Sequence, residues 1–163
     1  KHIYILGVRS SASLASFLSF YFYKIFDNVR NVATSSTSEV FEQIMNIGEG
    51  DVFIAITFPR YSKRTIKAAK YAHDKGATVI ALTDSHSAPI IEFSDRVMLA
   101  RSDMVSIVDS LVAPLSVINA LVVALCMKKQ DEVAQTLTML EDIWDEYQLS
   151  LFSPRCYFLS NAL

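Results

Sequence analysis

Histidine, cysteine, glycine and proline are all scarce in this chain of 163 residues: three, two, four and four respectively. Each scarcity closes a class of function. The two cysteines, Cys126 and Cys156, lie far apart, and neither pairs with a histidine at metal-ligand spacing. That excludes a disulfide scaffold and a zinc site, and reads as free thiols in a reducing, cytoplasmic setting. Gly7 is the only glycine in the first turn, Gly7-Val8-Arg9-Ser10-Ser11. A dinucleotide fingerprint needs glycine where Arg9 and Ala12 stand, and an acidic residue closing the second strand, where Ala33 and Thr34 stand. A P-loop lysine pattern is missing too. Neither a nucleotide cofactor nor a metal is therefore expected.

Charge of one sign is also lacking. A formal net charge of -2 gives these residues no electrostatic reason to bind nucleic acid or an anionic membrane. Leu111 to Met127 is the one candidate membrane span, but it is short and carries Pro114, Ser116 and Asn119. It reads better as a buried helix at a domain or subunit interface. No signal-peptide pattern precedes the first apolar run, and the chain lacks an initiator Met, as a piece of a longer protein would.

What is present is a hydrophobic content of 52%, enough for one core in a single domain. Five short runs read as strands: Ile3 to Leu6, Val29 to Val32, Val52 to Ile56, Thr78 to Leu82, and Val97 to Leu99. Three of them are continuously apolar and β-branched, the pattern of strands buried on both faces of a parallel sheet. Between them lie segments of helical period. Leu14, Phe17, Leu18, Tyr21, Phe22 and Ile25 share a face of the first. The second is predicted to start at Ser38 as N-cap, to group Val40, Phe41, Ile44 and Met45, and to stop at Gly48. The third carries Ile66, Ala69 and Ala72, has lysines outside, and ends at Gly76. This alternation predicts βαβ crossovers and a doubly wound sheet.

Beyond Leu99 the alternation stops. Met104 to Met127 reads as one long apolar helix, interrupted or kinked at Pro114. A second helix, from about Lys129 to Tyr147, aligns Val133, Leu137, Leu140, Trp144 and Tyr147. The domain is expected to fill residues 1–149, with 150–163 as a loosely ordered tail.

In an open parallel sheet ligands bind beyond the carboxyl ends of the strands. Four such ends deliver Arg9, Ser10 and Ser11; Thr34 to Ser38, including Ser35 and Ser36; Thr57, Arg60 and Ser62; and Thr83 to Ser87. Hydroxyls, free helix-start amides and guanidinium groups together suit an anion joined to a polyol. Any single cluster is explained better by helix capping. Four at one edge point to a shared polar anion site. For catalysis the chain offers only Glu39, at the start of the second helix, and His86, in the fourth loop.

The order Ile3 to Val8, Arg9-Ser10-Ser11, then Asp51 to Thr57, then Gly76 to Thr83 resembles the sugar isomerase (SIS) domain. More narrowly, it is similar to the effector-binding SIS domain of RpiR-type transcriptional regulators, over about residues 1–127. The resemblance implies a three-layer α-β-α sandwich on a five-stranded parallel sheet, and a phosphosugar or sugar-acid effector. It also implies a homo-oligomer, dimer or tetramer, and DNA contacts made by a separate N-terminal domain. The ligand-binding candidates are Arg9, Ser10, Ser11, Ser35, Ser36, Thr57, Arg60 and Ser62. Two positions depart from the family. Its Ser-x-Ser-Gly-x-Thr phosphate loop reads here Thr57-Phe58-Pro59-Arg60-Tyr61-Ser62, and Arg9 stands where many relatives have glycine. A phosphosugar isomerase using Glu39 and His86 is the alternative function, and a purely structural dimerisation module a third.

Overall fold

The computed structural model describes residues 1–34, 36–105 and 108–147. Five parallel strands, β1 (Ile3–Gly7), β2 (Val29–Asn31), β3 (Val52–Ile56), β4 (Thr78–Thr83) and β5 (Arg96–Leu99), form one sheet in the order β2-β1-β3-β4-β5. The apolar runs are strands because both faces are covered. Tyr4, Leu6, Phe53 and Ala55 pack under α2 (Thr37–Ile44) and α3 (Lys63–Asp74). Ile5, Ile54 and Ile56 point the other way, against α1 (Ser10–Ile25) and α4 (Val112–Lys128). The result is the expected three-layer α-β-α sandwich. Leu14, Leu18, Phe22 and Ile25 bury one face of α1, and Ala68, Ala69 and Ala72 let α3 lie close to the sheet.

The two edges of the sheet differ in chemistry. At the amino ends of the strands, carboxylates tie the backbone together. Asp51 accepts the amide of His2 at 2.7 Å and that of Gly48 at 3.1 Å, and Asp95 accepts the amide of Val79 at 2.8 Å. Arginines and hydroxyls gather at the carboxyl ends.

Several sequence-based boundaries are corrected. The single long helix from Met104 is two structures. Met104–Val105 (β6) pairs antiparallel with Val108–Asp109 (β7), and α4 begins only at Val112. The β-branched valines of this stretch suit a ribbon, and an apolar run by itself does not distinguish helix from strand. Pro114 therefore falls in the first turn of α4, where its missing N–H has no intrahelical acceptor to lose, and no kink is needed there. The N-cap position of α2 is taken by Ser36 rather than Ser38, with no side-chain cap bond, and the helix ends at Ile44, before Gly48. Met45 is 60% exposed and does not share the buried face. α5 (Gln130–Glu146) leaves α4 at an angle of 98°. Of its expected stripe, Val133 packs on the α1–α4 core, whereas Trp144 and Tyr147 are exposed. No single helix among the described residues is long and apolar enough to cross a membrane. The expected tail, 150–163, lies outside the described residues, as does Cys156.

Candidate anion-binding cleft

Strand order reverses between β1 and β3, and the crevice beyond their carboxyl ends is where an open α/β sheet takes its ligand. Gly7 makes the turn there possible. A Cβ on it would stand 2.2 Å from the carbonyl oxygen of Ser11, so the first turn of α1 is laid directly on the end of β1. α1 has no side-chain cap and no acidic residue in its first turn. Its orphan amides and positive dipole end are thus open to an anion. α3, by contrast, is capped, with Ser62 Oγ accepting the amide of Thr65 at 3.4 Å.

Arg9, Ser10, Ser11, Thr57, Arg60 and Ser62, six of the eight candidates from sequence, line one recess of about 210 Å³. Ser36 does not line it: it stands at the N-cap position of α2, and its hydroxyl shares a 2.8 Å hydrogen bond with Ser38. Ser35 lies outside the described residues. Arg9 and Arg60 are the only described non-glycine residues with positive φ, 58° and 67°. For Arg9, ψ is -128°, outside the left-handed helical well. A side chain held in such a backbone costs about 1–3 kcal/mol and calls for a compensating role.

Asp109, at the end of β7, reaches into this recess. Its carboxylate accepts the Ser10 hydroxyl at 2.8 Å and Arg60 Nη2 at 3.0 and 3.3 Å. Two of the donors expected to hold an anion, Ser10 and Arg60, are therefore already holding one, supplied by the chain itself.

A larger cleft of about 770 Å³ adjoins the recess, sharing Val8, Arg9, Arg60 and Ser62 with it. Asn31, Thr34, Thr37, Lys63 and Arg64 form much of its remaining wall. Lys63 and Arg64 line the cleft and Asp109 the recess, and none of the three was expected there from the sequence. A signal for the first two was present: a helix that opens on Lys-Arg, with no acid in its first turn, sets cations against its own dipole. Tyr61 also lines the larger cleft and donates its hydroxyl to Asp84 at 2.9 Å. Partial burial, then the hydrogen bond and charge of Asp84, push its phenol above the usual range, so it serves as a neutral donor.

Glu39 and His86 are not brought together here. Both are exposed, and neither lines the recess or the cleft. Glu39 instead accepts the hydroxyl of Thr34. Among the described residues no cluster of His, Cys, Asp or Glu is arranged to hold a metal ion.

The family model described as SIS domain matches residues 1–124. Among curated proteins, an uncharacterized HTH-type transcriptional regulator of Caldanaerobacter subterraneus is 26% identical over 141 residues, 84% of this chain and 49% of that protein. The chain spans between 33% and 49% of the length of the curated relatives it matches. In fold it is similar to the sugar isomerase domain of an RpiR transcription factor from Sphaerobacter thermophilus (TM-score 0.81, 22% identity, 87% of this chain and 79% of that one). It is also similar to the Vibrio vulnificus NanR protein complexed with ManNAc-6P (TM-score 0.73, 20% identity, 87% and 56%). Solved structures of the same fold include proteins described as putative phosphosugar isomerases.

Proposed function

The chain belongs to the SIS domain family, and on that premise we propose that it is the effector-binding and dimerisation region of an RpiR-type bacterial transcriptional regulator. Its ligand in this reading is a phosphorylated sugar or sugar acid, and its DNA contacts are made by a domain outside these 163 residues. One observation carries the reading: an uncapped helix start, four hydroxyl residues and two backbone-strained arginines converge on one recess at the switch point of the sheet. The names of the curated relatives and the ligand of the NanR structure agree with it. The isomerase alternative does not find its two named residues in the site, since Glu39 and His86 line neither the recess nor the cleft. The dimer is supported by apolar residues left exposed on one side of the sandwich: Phe20 and Tyr23 on α1, Val123 and Met127 on α4, and Met139 and Trp144 on α5.

Thermal denaturation tests the reading. A binder present at about a hundred times its Kd stabilises by about 2.7 kcal/mol, which raises Tm by roughly 5–10 °C in a domain of this size. Phosphosugars are expected to give that shift and the unphosphorylated sugars none. Sedimentation of the same samples is expected to show a dimer. A panel of phosphosugars and phosphorylated sugar acids that leaves Tm unmoved overturns the proposal.

Asp109 supplies a second check. Because it occupies Ser10 and Arg60, an incoming phosphate has to displace it. Asp109→Asn removes that competitor and is expected to tighten phosphosugar binding about tenfold, the weight of one charge-assisted contact. Weaker binding by calorimetry would mean that Asp109 helps to hold the ligand.

A further inference from the structure

Arg60 is neutralised by Asp109, but Arg64 makes no ion pair among the described residues. Its half-buried side chain is held by neutral acceptors alone. Nε donates to Thr37 Oγ1 at 3.1 Å and Nη1 to the carbonyl of Thr34 at 3.3 Å. A guanidinium carries five N–H groups, so three remain for another partner, and the two bonds fix its orientation. Thr37 is the first residue of α2, and Arg64 lies in the first turn of α3. The cation is thus tied to one helix start and borne by another, the ends at which a helix dipole opposes positive charge. Exposed Lys63 adds to the excess. Glu39, two residues beyond Thr37, is engaged by Thr34 and does not line the cleft, whose described walls contain no carboxylate. An oriented, uncompensated arginine facing a cavity is complementary to an anion that arrives with the ligand.

We propose that Arg64, backed by Lys63, receives a second anionic group of the effector, making that effector a phosphorylated sugar acid with phosphate at one end and carboxylate at the other. The phosphate takes the recess of Ser10, Ser11, Thr57 and Ser62, and the carboxylate takes the larger cleft. This inference rests on the phosphosugar reading above and goes further by naming the head group.

Calorimetry with a matched pair of open-chain ligands tests it: a hexitol 6-phosphate, with an alcohol at C1, and the corresponding aldonic acid 6-phosphate, with a carboxylate there. The acid is expected to bind at least about tenfold more tightly, as one oriented ionic contact warrants. In Arg64→Gln the preference is expected to vanish while the hexitol phosphate keeps its affinity within about twofold. A merely structural clamp between α2 and α3 would weaken both ligands equally. Lys63→Gln, at an exposed position that does not threaten the fold, is expected to reduce the preference severalfold. Equal affinity for the two ligands in the unaltered domain, or a preference that survives Arg64→Gln, overturns the proposal. If the hexitol phosphate binds without discrimination, the phosphosugar reading stands and this one fails. If neither ligand binds, this inference fails, and the panel of phosphosugars decides the broader reading.

Discussion

Replacing Arg9 with glycine is expected to raise the stability of the domain by about 1 kcal/mol and to weaken phosphosugar binding roughly 10- to 100-fold. The two effects share one cause. Arg9 sits at φ 58° and ψ -128°, a conformation that glycine adopts freely and a residue with a Cβ does not. Relief of about 1–3 kcal/mol of backbone strain is partly offset by the larger entropy that glycine loses on folding. The guanidinium makes no hydrogen bond or ion pair among the described residues, so the fold loses nothing with it. Its loss falls on the ligand, since Arg9 lines both the recess and the adjoining cleft. Arg9→Ala separates the contributions: it removes the charge and keeps the strain, so binding weakens with no gain in stability. Urea denaturation and calorimetry on the two variants read both quantities. A glycine variant that is less stable and binds as before would show that Arg9 serves the fold and that the ligand lies elsewhere.

Gly7→Ala is expected to cost about 3 kcal/mol or more and to abolish binding at the same time. The added methyl would meet Ser11 O at 2.2 Å, Ser11 C at 2.7 Å and Ala15 Cβ at 3.1 Å. The first two are backbone atoms and cannot rotate away. Accommodation requires α1 to move off the sheet, and α1 is anchored there by Leu14, Leu18 and Phe22 packed against Ile5, Ile54 and Ile56. The same movement takes Ser10 and Ser11 out of the recess. Denaturation midpoints and ligand titration should therefore fail together. A variant of unchanged midpoint would contradict the close approach of α1 to β1.

The sheet was legible in the sequence because strands buried on both faces carry unbroken apolar runs, and because strand-end rules then locate the ligand edge. Six of the residues singled out on that basis line one recess. Local pattern failed where the outcome depended on contacts distant in the chain. Nothing near Met104 distinguishes an antiparallel ribbon from the first turns of a helix. Nothing near Ser10 announces Asp109, 99 residues away. Ser36 and Ser38 are equally good caps by type, and the N-cap position falls to the first. The arginines at 9 and 60 were visible as departures from a glycine pattern, but the positive φ that makes them costly was not.

On the proposed function, the Asp109 carboxylate is a tethered competitor for the recess, and tethering separates two properties that a simple binding site keeps joined. What is recognised would then depend on the arginines and hydroxyls at the strand ends. How much of it is needed depends on the fraction of time that Asp109 stays home, because apparent affinity scales with the open fraction. Asp109 is carried by the pairing of β6 with β7, which does not line the larger cleft, so on this reading the ribbon would set that fraction. Substitutions in that ribbon can thus move the dose at which the domain responds, leaving its chemical selectivity intact.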